Sequence, residues 1–152
     1  EAQGPSPTYV PFRNGTMLSL AAAYAITQGL DRIVIGAHAD DARNWAYPDC
    51  TPEFMGHMGG AIEVGSYDKV RLATPFQYMT KVQIIEKGGG LVVPFELTWS
   101  CYDPVLNKQE PGHMPTYIHC GQCPTCVARY AAFESLGLKD PVEYAVTPKV
   151  EA

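Results

Sequence analysis

The sequence predicts an α/β fold built around a parallel β-sheet, and three observations predict it. Apolar residues recur at helical spacing from Met17 to Ala25, and Gly29 ends that run. The β-branched stretch 33–35 follows closely and predicts a short, fully buried strand. A helix that feeds such a strand is half of a βα repeat, which favours a parallel sheet. The chain has 152 residues, the size of one domain, so we expect residues 1–152 to form a single domain.

The remaining elements follow from helix caps, glycines and apolar runs. Residues 14–16 offer caps for the first helix. Thr51 followed by Pro52 predicts the start of a second helix, which runs to about Val64. The other predicted elements are a strand at residues 70–73, a helix from a Thr80 cap to the glycines at 88–90, and a last helix from about Pro124 to Leu136, whose buried stripe comprises Val127, Tyr130, Ala131, Phe133 and Leu136.

The composition excludes several classes of protein. With 46% hydrophobic and 18% charged residues, the chain is neither disordered nor a coiled coil. Sixteen acidic against eleven basic residues give a net charge of -5, which argues against direct nucleic-acid binding, because phosphate contacts need a basic face. No apolar run approaches the roughly 20 residues that span a bilayer, and no basic and apolar leader opens the sequence. We therefore expect a cytoplasmic protein with reduced thiols and no membrane partner.

Three of the five cysteines, Cys120, Cys123 and Cys126, stand in two overlapping CxxC units and predict a metal site. CxxC turns the backbone so that two thiolates reach one tetrahedral ion at Zn–S distances of about 2.3 Å. Cys101 is the natural fourth ligand, and the intervening residues 102–119 hold three prolines and no periodic pattern, which predicts a loop. Residues 101–126 therefore form the predicted zinc-binding loop, with one structural Zn2+ per chain.

Other readings of these cysteines remain open. His119 adjoins Cys120 and could replace one thiolate, a redox CxxC pair is an alternative, and so are ordinary reduced thiols. Thr98 and Ser100 precede the predicted ligand Cys101 and are candidate hydrogen-bond donors to the thiolates. Cys50 is far away in sequence and is expected to be a small apolar core residue.

Four segments together carry a resemblance to a known family. The segments are Tyr9-Val10-Pro11-Phe12-Arg13-Asn14, Ala46-Tyr47-Pro48-Asp49-Cys50-Thr51-Pro52-Glu53-Phe54, Glu96-Leu97-Thr98-Trp99-Ser100-Cys101-Tyr102 and Cys120-Gly121-Gln122-Cys123-Pro124-Thr125-Cys126. In order and content they resemble the 7-cyano-7-deazaguanine synthases of queuosine and other deazaguanine biosynthesis. The resemblance extends over about residues 8–144 of this sequence.

The resemblance implies a fold and a reaction. It implies a doubly wound parallel α/β sheet of the adenine-nucleotide α-hydrolase-like type, with a zinc-binding loop and a helix at the C-terminal end. It also implies an ATP-dependent ligase that converts 7-carboxy-7-deazaguanine and ammonia to 7-cyano-7-deazaguanine, with Mg2+ accompanying ATP. Activation by ATP gives the carboxylate a phosphate-type leaving group, and the enzyme supplies positioning and charge stabilisation.

Five further residues are candidates for binding the substrates. Arg13 and Asn14 match the family's Pro-Gly-Arg-Asn and are expected to bind the nucleotide, Arg13 as a bidentate phosphate ligand or, alternatively, as a surface cation. Asp41 follows the first strand at the sheet edge where ligands bind, and its carboxylate would accept the N–H groups of a deazaguanine. Tyr47 would stack on the heterocycle and Asp49 would accept its hydrogen bonds. The alternatives are an Asx turn at Asp41 and an N-cap contact from Asp49 to the following helix.

The most serious departure of the sequence from the family concerns the ATP-binding loop. Family members open with a strand and Ser-Gly-Gly-x-Asp-Ser, which cradles the phosphates of ATP at a helix N-terminus, and this sequence has no such segment. It is expected to be a fragment, or one half of an enzyme whose N-terminal half is a separate chain, or a relative that has lost catalysis. A homodimer is a further expected assembly. The alternative function is a non-catalytic, zinc-stabilised module that binds a deazaguanine or a partner, and a different amine acceptor is a third possibility.

Overall fold

A computed structural model describes residues 6–150 of the chain. The packing divides the chain into two compact units, one ending at Thr80 and one beginning at Lys81. The first unit contains α1 (Arg13–Gln28), β1 (Arg32–Val34), α2 (Ala39–Ala42), α3 (Pro52–Gly65) and β2 (Arg71–Ala73), and the second contains α4 (Lys81–Gly90), β3 (Val105–Lys108), β4 (Thr116–Ile118) and α5 (Pro124–Ser135). Short 3-10 turns lie at Arg43–Trp45, Pro48–Cys50 and Phe95–Leu97. None of the helices in this described part is both long and apolar enough to span a membrane.

The helix α1 begins earlier than its predicted cap. Its first residue is Arg13, and Phe12 precedes it in the left-handed region at φ 55° without a side-chain cap. Capping by residues 14–16 is therefore wrong, because an acceptor from elsewhere in the chain, Asp49, takes the N–H of Asn14. The C-terminal prediction is confirmed, since Gly29 adopts φ 67° and its N–H bonds back to the last turn.

The predicted parallel pairing is confirmed in the first unit. Strands β1 and β2 run parallel with Ile33 opposite Leu72, and α3 lies between them in sequence. The prediction that residues 33–35 are fully buried is wrong, because the side chain of Val34 is 64% exposed. The reason is that successive side chains of a strand point to opposite faces: Ile33 and Ile35 pack against the core, whereas Val34 lies on the other face. The chain thus has a mixed α/β architecture with parallel strands, and the doubly wound sheet stays a prediction.

The core of the first unit lies between α1, α3 and the strand pair. The stripe of α1 that packs inward comprises Leu18, Ala22 and Ala25, and the opposing residues include Met55, Ile62 and Val70. Thr51 caps α3 by accepting the N–H of Phe54 at 3.2 Å, as the Thr-Pro pair predicts. The buried Cys50 belongs to this core, which confirms its prediction as an apolar core residue.

The core of the second unit is formed by α4 and α5. Ile85 of α4 packs with Ala132 and Phe133 of α5, and the ring of Phe133 meets Phe95 edge-on at 5.3 Å between centroids. The predicted end of α4 at the glycines 88–90 is confirmed, since the helix ends at Gly90 and these glycines form its last turn. Gly88 is small for a reason: a Cβ at this position would collide with the ring of Phe95.

The segment between Cys101 and Cys120 is not a loop, which corrects the prediction. Residues Val105–Lys108 and Thr116–Ile118 pair as an antiparallel hairpin, with Val105 opposite Ile118. Nearly every residue of the hairpin is exposed on both faces. No alternation of polar and apolar residues results, so the sequence carries no period-two signal for these strands. In α5 the buried residues are Cys126, Arg129, Ala132 and Phe133, so the predicted stripe is correct at Phe133 but misses Arg129.

Candidate metal centre

Three elements of the second unit position the four cysteines. Cys101 precedes the hairpin, Cys120 follows two residues after the end of β4, and Cys123 and Cys126 belong to the start of α5. The pairing of β3 with β4 brings the two ends of the segment together, and the N–H of Cys120 donates to the Sγ of Cys101 at 3.2 Å. Proline at the first position of α5 fixes the start of this helix directly after Cys123.

The four thiols converge on one point, as their spacing predicts. Their sulfur atoms all lie within 4.8 Å of one another, and the Sγ atoms of Cys120 and Cys126 are 3.9 Å apart. None of them forms a disulfide. A tetrahedral ion with bonds of about 2.3 Å separates its sulfur ligands by about 3.8 Å, so the spacing fits such an ion. The donor set is therefore suited to a soft or borderline metal such as zinc.

Backbone geometry supports the thiolate form of this cluster. The N–H groups of Gln122 and Cys123 approach the Sγ of Cys120 at 3.4 and 3.3 Å. Gly121 permits this turn with φ 79°, and a side chain at that position would collide with the carbonyl of Val146. Such N–H groups stabilise negative charge on sulfur, which is the form that binds a metal.

The pKa values of the thiols differ with their hydrogen bonds. Burial raises the pKa of Cys101 and of Cys126. Burial also opposes ionisation of Cys123, but hydrogen bonds from the hydroxyl of Thr125 and from the backbone outweigh it and lower its pKa to about 6. One thiolate is thus available at neutral pH, and a bound cation would favour ionisation of the others.

His119 is not part of the sulfur cluster. It is buried beside Cys120, but its Nε2 accepts the N–H of Ser100 at 3.3 Å, and its ring packs on Trp99 with centroids 4.2 Å apart. Burial lowers the pKa of His119, which favours the neutral ring that this acceptor role requires. The structure therefore groups four cysteines, without the histidine that could have replaced one of them.

A buried ion pair that sequence reasoning missed lies beside the cluster. The guanidinium of Arg129 donates to both carboxylate oxygens of Asp140, from Nε at 2.7 Å and from Nη2 at 2.9 Å. It also donates to the carbonyl of Phe95 at 3.0 Å and to the hydroxyl of Thr98 at 2.6 Å. The hydroxyl of Tyr144 donates to Asp140 at 2.7 Å, and Tyr144 packs against the cysteines.

This pair joins three separate segments of the second unit. One arginine holds the turn at residues 95–98, the helix α5 and the segment around Asp140. Burial alone would raise the pKa of Asp140, but the hydrogen bonds from Arg129 and Tyr144 lower it below its ordinary value. The side chain of Thr98 serves this network, so its prediction as a donor to the thiolates is wrong. The signal for Arg129 was its position three residues after Cys126 on the inner face of α5.

In the first unit, the structure brings two of the predicted substrate residues together. The N–H of Asn14 donates to Oδ2 of Asp49 at 2.9 Å, and its side-chain amide donates to the carbonyl of Asp49 and to the Sγ of Cys50, both at 3.2 Å. Asp49 therefore caps α1, whereas the alternative contact to the following helix is wrong because Thr51 caps α3. Arg13 is the first residue of α1 and lies half-buried beside this contact.

Asp41 and Tyr47 lie in the same neighbourhood. The N–H of Tyr47 donates to the carbonyl of Asp41 at 3.1 Å, and the carboxylate of Asp41 is 3.2 Å from Nε2 of His38. The hydroxyl of Tyr47 is hydrogen-bonded to Ser6 at 3.0 Å and to Thr8. Burial, reinforced by the charges of Asp41 and Asp49, raises the pKa of Cys50 to about 11, so both carboxylates lie within electrostatic range of one thiol. Whether these residues bind substrates stays a prediction.

A parallel strand pair flanked by helices, together with a cluster of four cysteines that could hold a metal ion, defines an α/β protein with a candidate metal site. The sequence profile described as "Queuosine biosynthesis protein QueC" matches residues 1–137. The chain belongs to this family, and the resemblance of its four segments is thereby confirmed.

Curated relatives extend the similarity over almost the whole chain. The 7-cyano-7-deazaguanine synthase of Methanoculleus marisnigri is 41% identical over 95% of this chain and 60% of the relative. Those of Thermoplasma volcanium and Haloarcula marismortui are each 39% identical over 93% of this chain, and over 55% and 56% of the relatives. The chain thus spans between half and two thirds of the length of these relatives.

Proposed function

We propose that this chain supplies the zinc-binding and substrate-binding portion of a 7-cyano-7-deazaguanine synthase. The observation that carries the proposal is the convergence of four sulfur atoms in a chain about 40% identical to relatives bearing that name. The proposed reaction uses ATP, with Mg2+, to convert 7-carboxy-7-deazaguanine and ammonia to 7-cyano-7-deazaguanine. The proposed compartment is the cytoplasm, where reduced thiols persist.

The reaction has two activation steps. ATP first turns one carboxylate oxygen into a phosphate-type leaving group, and ammonia displaces that group to form an amide. A second ATP then activates the amide oxygen, which leaves as the nitrile forms with loss of two protons from nitrogen. The protein contributes by holding the carboxylate, ammonia and phosphate in line and by stabilising the negative charge that develops.

The proposed zinc ion is structural. Four thiolates fill a tetrahedral shell and leave no position for water or substrate. Cys101, Cys120, Cys123 and Cys126 would hold it, and when bound it would fix the hairpin ends to α5. A redox role for the CxxC units is less well supported, because all four sulfurs share one site.

The predicted substrate-binding and nucleotide-binding residues are proposed to have different roles. Asp41 is partly exposed and can accept N–H groups of a deazaguanine, while the ring of Tyr47 can stack on it. Asp49 is buried and bonded to Asn14, which supports a role in holding the substrate loop. Arg13 is the stronger of the two candidate nucleotide ligands, because the amide of Asn14 already donates to Asp49 and Cys50.

The proposed activity requires a second polypeptide segment. The sequence has no Ser-Gly-Gly-x-Asp-Ser loop, so the ATP-binding half is proposed to be N-terminal in the complete protein or to come from a separate chain. The alternative function is a non-catalytic zinc-stabilised module that binds a deazaguanine or a partner.

The experiment that separates these functions is a reconstitution. The chain is mixed with ATP, Mg2+, ammonia and 7-carboxy-7-deazaguanine, with and without the remaining segment of the M. marisnigri relative, and product is measured by mass spectrometry. Nitrile formed only with the added segment supports the synthase. Binding of the substrate without any amide or nitrile supports the non-catalytic module. Replacing ammonia by other amines tests the choice of acceptor.

A further inference from the structure

A groove of about 330 Å³ lies between α3 and β2 in the first unit, and its volume is within the range of ligand sites. One side is formed by three glycines of α3, and the other by β2 and the turn that follows it. The residues that define the two sides are Gly56, Gly59 and Gly60, and Leu72, Gln77 and Tyr78. None of the five candidate residues for deazaguanine or nucleotide binding lines this groove.

A buried amide at the groove has an acceptor without a hydrogen-bond partner. Gln77 is 4% exposed, and its Nε2 donates to the carbonyl of Cys50 at 2.9 Å. That bond fixes the orientation of the amide, because the reversed amide would place two oxygens against each other. Oε1 of Gln77 has no hydrogen-bond partner among the described residues. Buried acceptors are nearly always satisfied, and a ligand that brings an N–H into the groove would satisfy this one.

The strand β2 contributes unpaired backbone groups to the same groove. The N–H of Arg71 donates to the carbonyl of Asp31, and the carbonyl of Ala73 accepts the N–H of Ile35, so residues 71 and 73 face β1. Backbone groups alternate in direction along a strand. The N–H and C=O of Leu72 therefore point to the other edge, where no strand pairs with them within residues 6–150. An edge of this kind is a template for a further strand.

The helix side of the groove has no side chain that would obstruct a ligand. A Cβ atom on Gly56 or on Gly60 would meet nothing within 4 Å, so both positions open onto free space. Gly59 lies nearest to β2, since a Cβ there would be 3.6 Å from the Cβ of Leu72. Glycine allows another backbone to approach closely. The glycine side therefore leaves room for a main chain between α3 and the edge of β2.

The charges that line the groove neutralise each other. Arg71 forms an ion pair with Glu63, and the other lining residues are uncharged. A phosphate or carboxylate ligand would meet an arginine that already has an acidic partner. A neutral ligand needs no opposing charge, so charge complementarity favours one that offers N–H and C=O groups without a net charge.

We propose that this groove binds an extended, uncharged peptide segment of a partner protein, which adds a strand to β2. One residue of the bound segment runs antiparallel to β2 and exchanges two hydrogen bonds with the N–H and C=O of Leu72. The next N–H on the same side of the segment donates to Oε1 of Gln77. Its backbone lies against Gly56 and Gly60. This binding uses none of the candidate residues of the synthase reaction, and its presence or absence is independent of that reaction.

A titration followed by NMR tests the groove with a defined probe, the capped peptide acetyl-Ala-Leu-Ala-N-methylamide. The backbone N–H of Leu72 and the side-chain amide of Gln77 are expected to shift with a Kd of about 1 mM or lower. The indole N–H of Trp99, in the second unit, should not shift. The same peptide with N-methylleucine keeps the side chain but lacks the central N–H, and it should bind at least about tenfold more weakly.

A pair of matched variants tests the same site from the protein side. Gly60→Leu places a side chain in the groove and should weaken peptide binding at least about tenfold. Gly65→Leu makes the same change in the same helix at a position that does not line the groove, and its Kd should stay within about twofold of the original. Leucine favours a helix more than glycine does, so neither variant should lower the melting temperature.

Four results would overturn the proposal. The first is the absence of any shift at Leu72 and Gln77 up to about 10 mM peptide. The second is equal binding of the N-methylated peptide, or equal binding by Gly60→Leu. The third is a dimer of the chain alone that Gly60→Leu makes monomeric, because a second copy would then occupy the groove. The fourth is a response of the same signals to nicotinamide and not to the peptide, which would assign the groove to a small amide.

Discussion

The two units keep their polar groups in place by different means. In the second unit, four sulfurs and a buried Arg129–Asp140 pair join the hairpin, α5 and the turn at residues 95–98. In the first unit, the loop that carries Asp49 is held by hydrogen bonds to the start of α1 beside an apolar core. The comparison teaches that a buried ion pair and a cluster of thiols can hold together segments that bury little apolar surface. It also predicts that different substitutions will unfold the two units.

Removal of the metal should have the largest effect and should be confined to the second unit. Structural zinc sites contribute about 10–16 kcal/mol of apparent binding free energy to folding. We expect one zinc per chain by mass spectrometry, and we expect a chelator or Cys123→Ser to unfold the second unit. The fluorescence of Trp99 reports this unit when Trp45 is replaced by Phe. A Cys123→Ser protein with an unchanged melting curve, or a purified chain without metal, would contradict the structural role.

Loss of the buried cation should have the next largest effect. Arg129→Met leaves Asp140 buried without its partner and should destabilise the second unit by about 3–5 kcal/mol. The matched control is the double variant Arg129→Met/Asp140→Leu, which removes both charges and should recover a large part of the loss. Urea unfolding measures both. Equal losses in the single and double variants would show that the hydrogen bonds to Phe95 and Thr98 matter more than the charge.

Loss of the Asp49 carboxylate should affect the first unit and cost less. Asp49→Ala leaves the N–H of Asn14 without its acceptor, for which we expect a loss of about 1–3 kcal/mol. Asp49→Asn keeps an oxygen acceptor and should cost less. Urea unfolding followed by Trp45, with Trp99 replaced by Phe, makes the measurement. An effect seen only in the second unit would contradict the division between the units.

Acid should produce the smallest effect, through Asp140. Its folded pKa lies below the ordinary value of 3.8, so protonation favours the unfolded state. The stabilisation it provides is complete above about pH 5 and is lost as the pH falls through the lowered folded pKa. Asp140→Asn should flatten this part of the stability profile of the second unit. An unchanged acid slope in Asp140→Asn would assign it to the thiolates instead.

Local signals determined what the sequence could predict. The helices were predictable because Thr51 and Gly29 mark helix ends and apolar residues recur at helical spacing. The sulfur cluster was predictable because its spacing alone limits where three thiols can lie. The hairpin was not predictable, since its two exposed faces leave no alternation of polar and apolar residues.

Contacts between distant segments were the part that the sequence did not reveal. The spacing from Cys126 places Arg129 on the inner face of α5, but its partners Asp140 and Phe95 become apparent only from the fold. Asp49 reads as a ligand residue or as a cap for the next helix, and only the fold shows that it caps the preceding one. The exposure of Val34 likewise depends on whether both faces of β1 are covered, and the uniformly apolar residues 33–35 do not show which face is open.

The hairpin has a practical consequence for engineering. The pairing of β3 with β4 brings Cys101 and Cys120 together, and the N–H of Cys120 donates to the Sγ of Cys101. The residues at the tip of the hairpin therefore do not position the sulfur atoms. Lengthening a tip of this kind costs only about 0.6 kcal/mol for each doubling of its length. The turn at residues 109–115 is therefore a suitable place to insert an epitope or a fluorescent reporter without disturbing either unit.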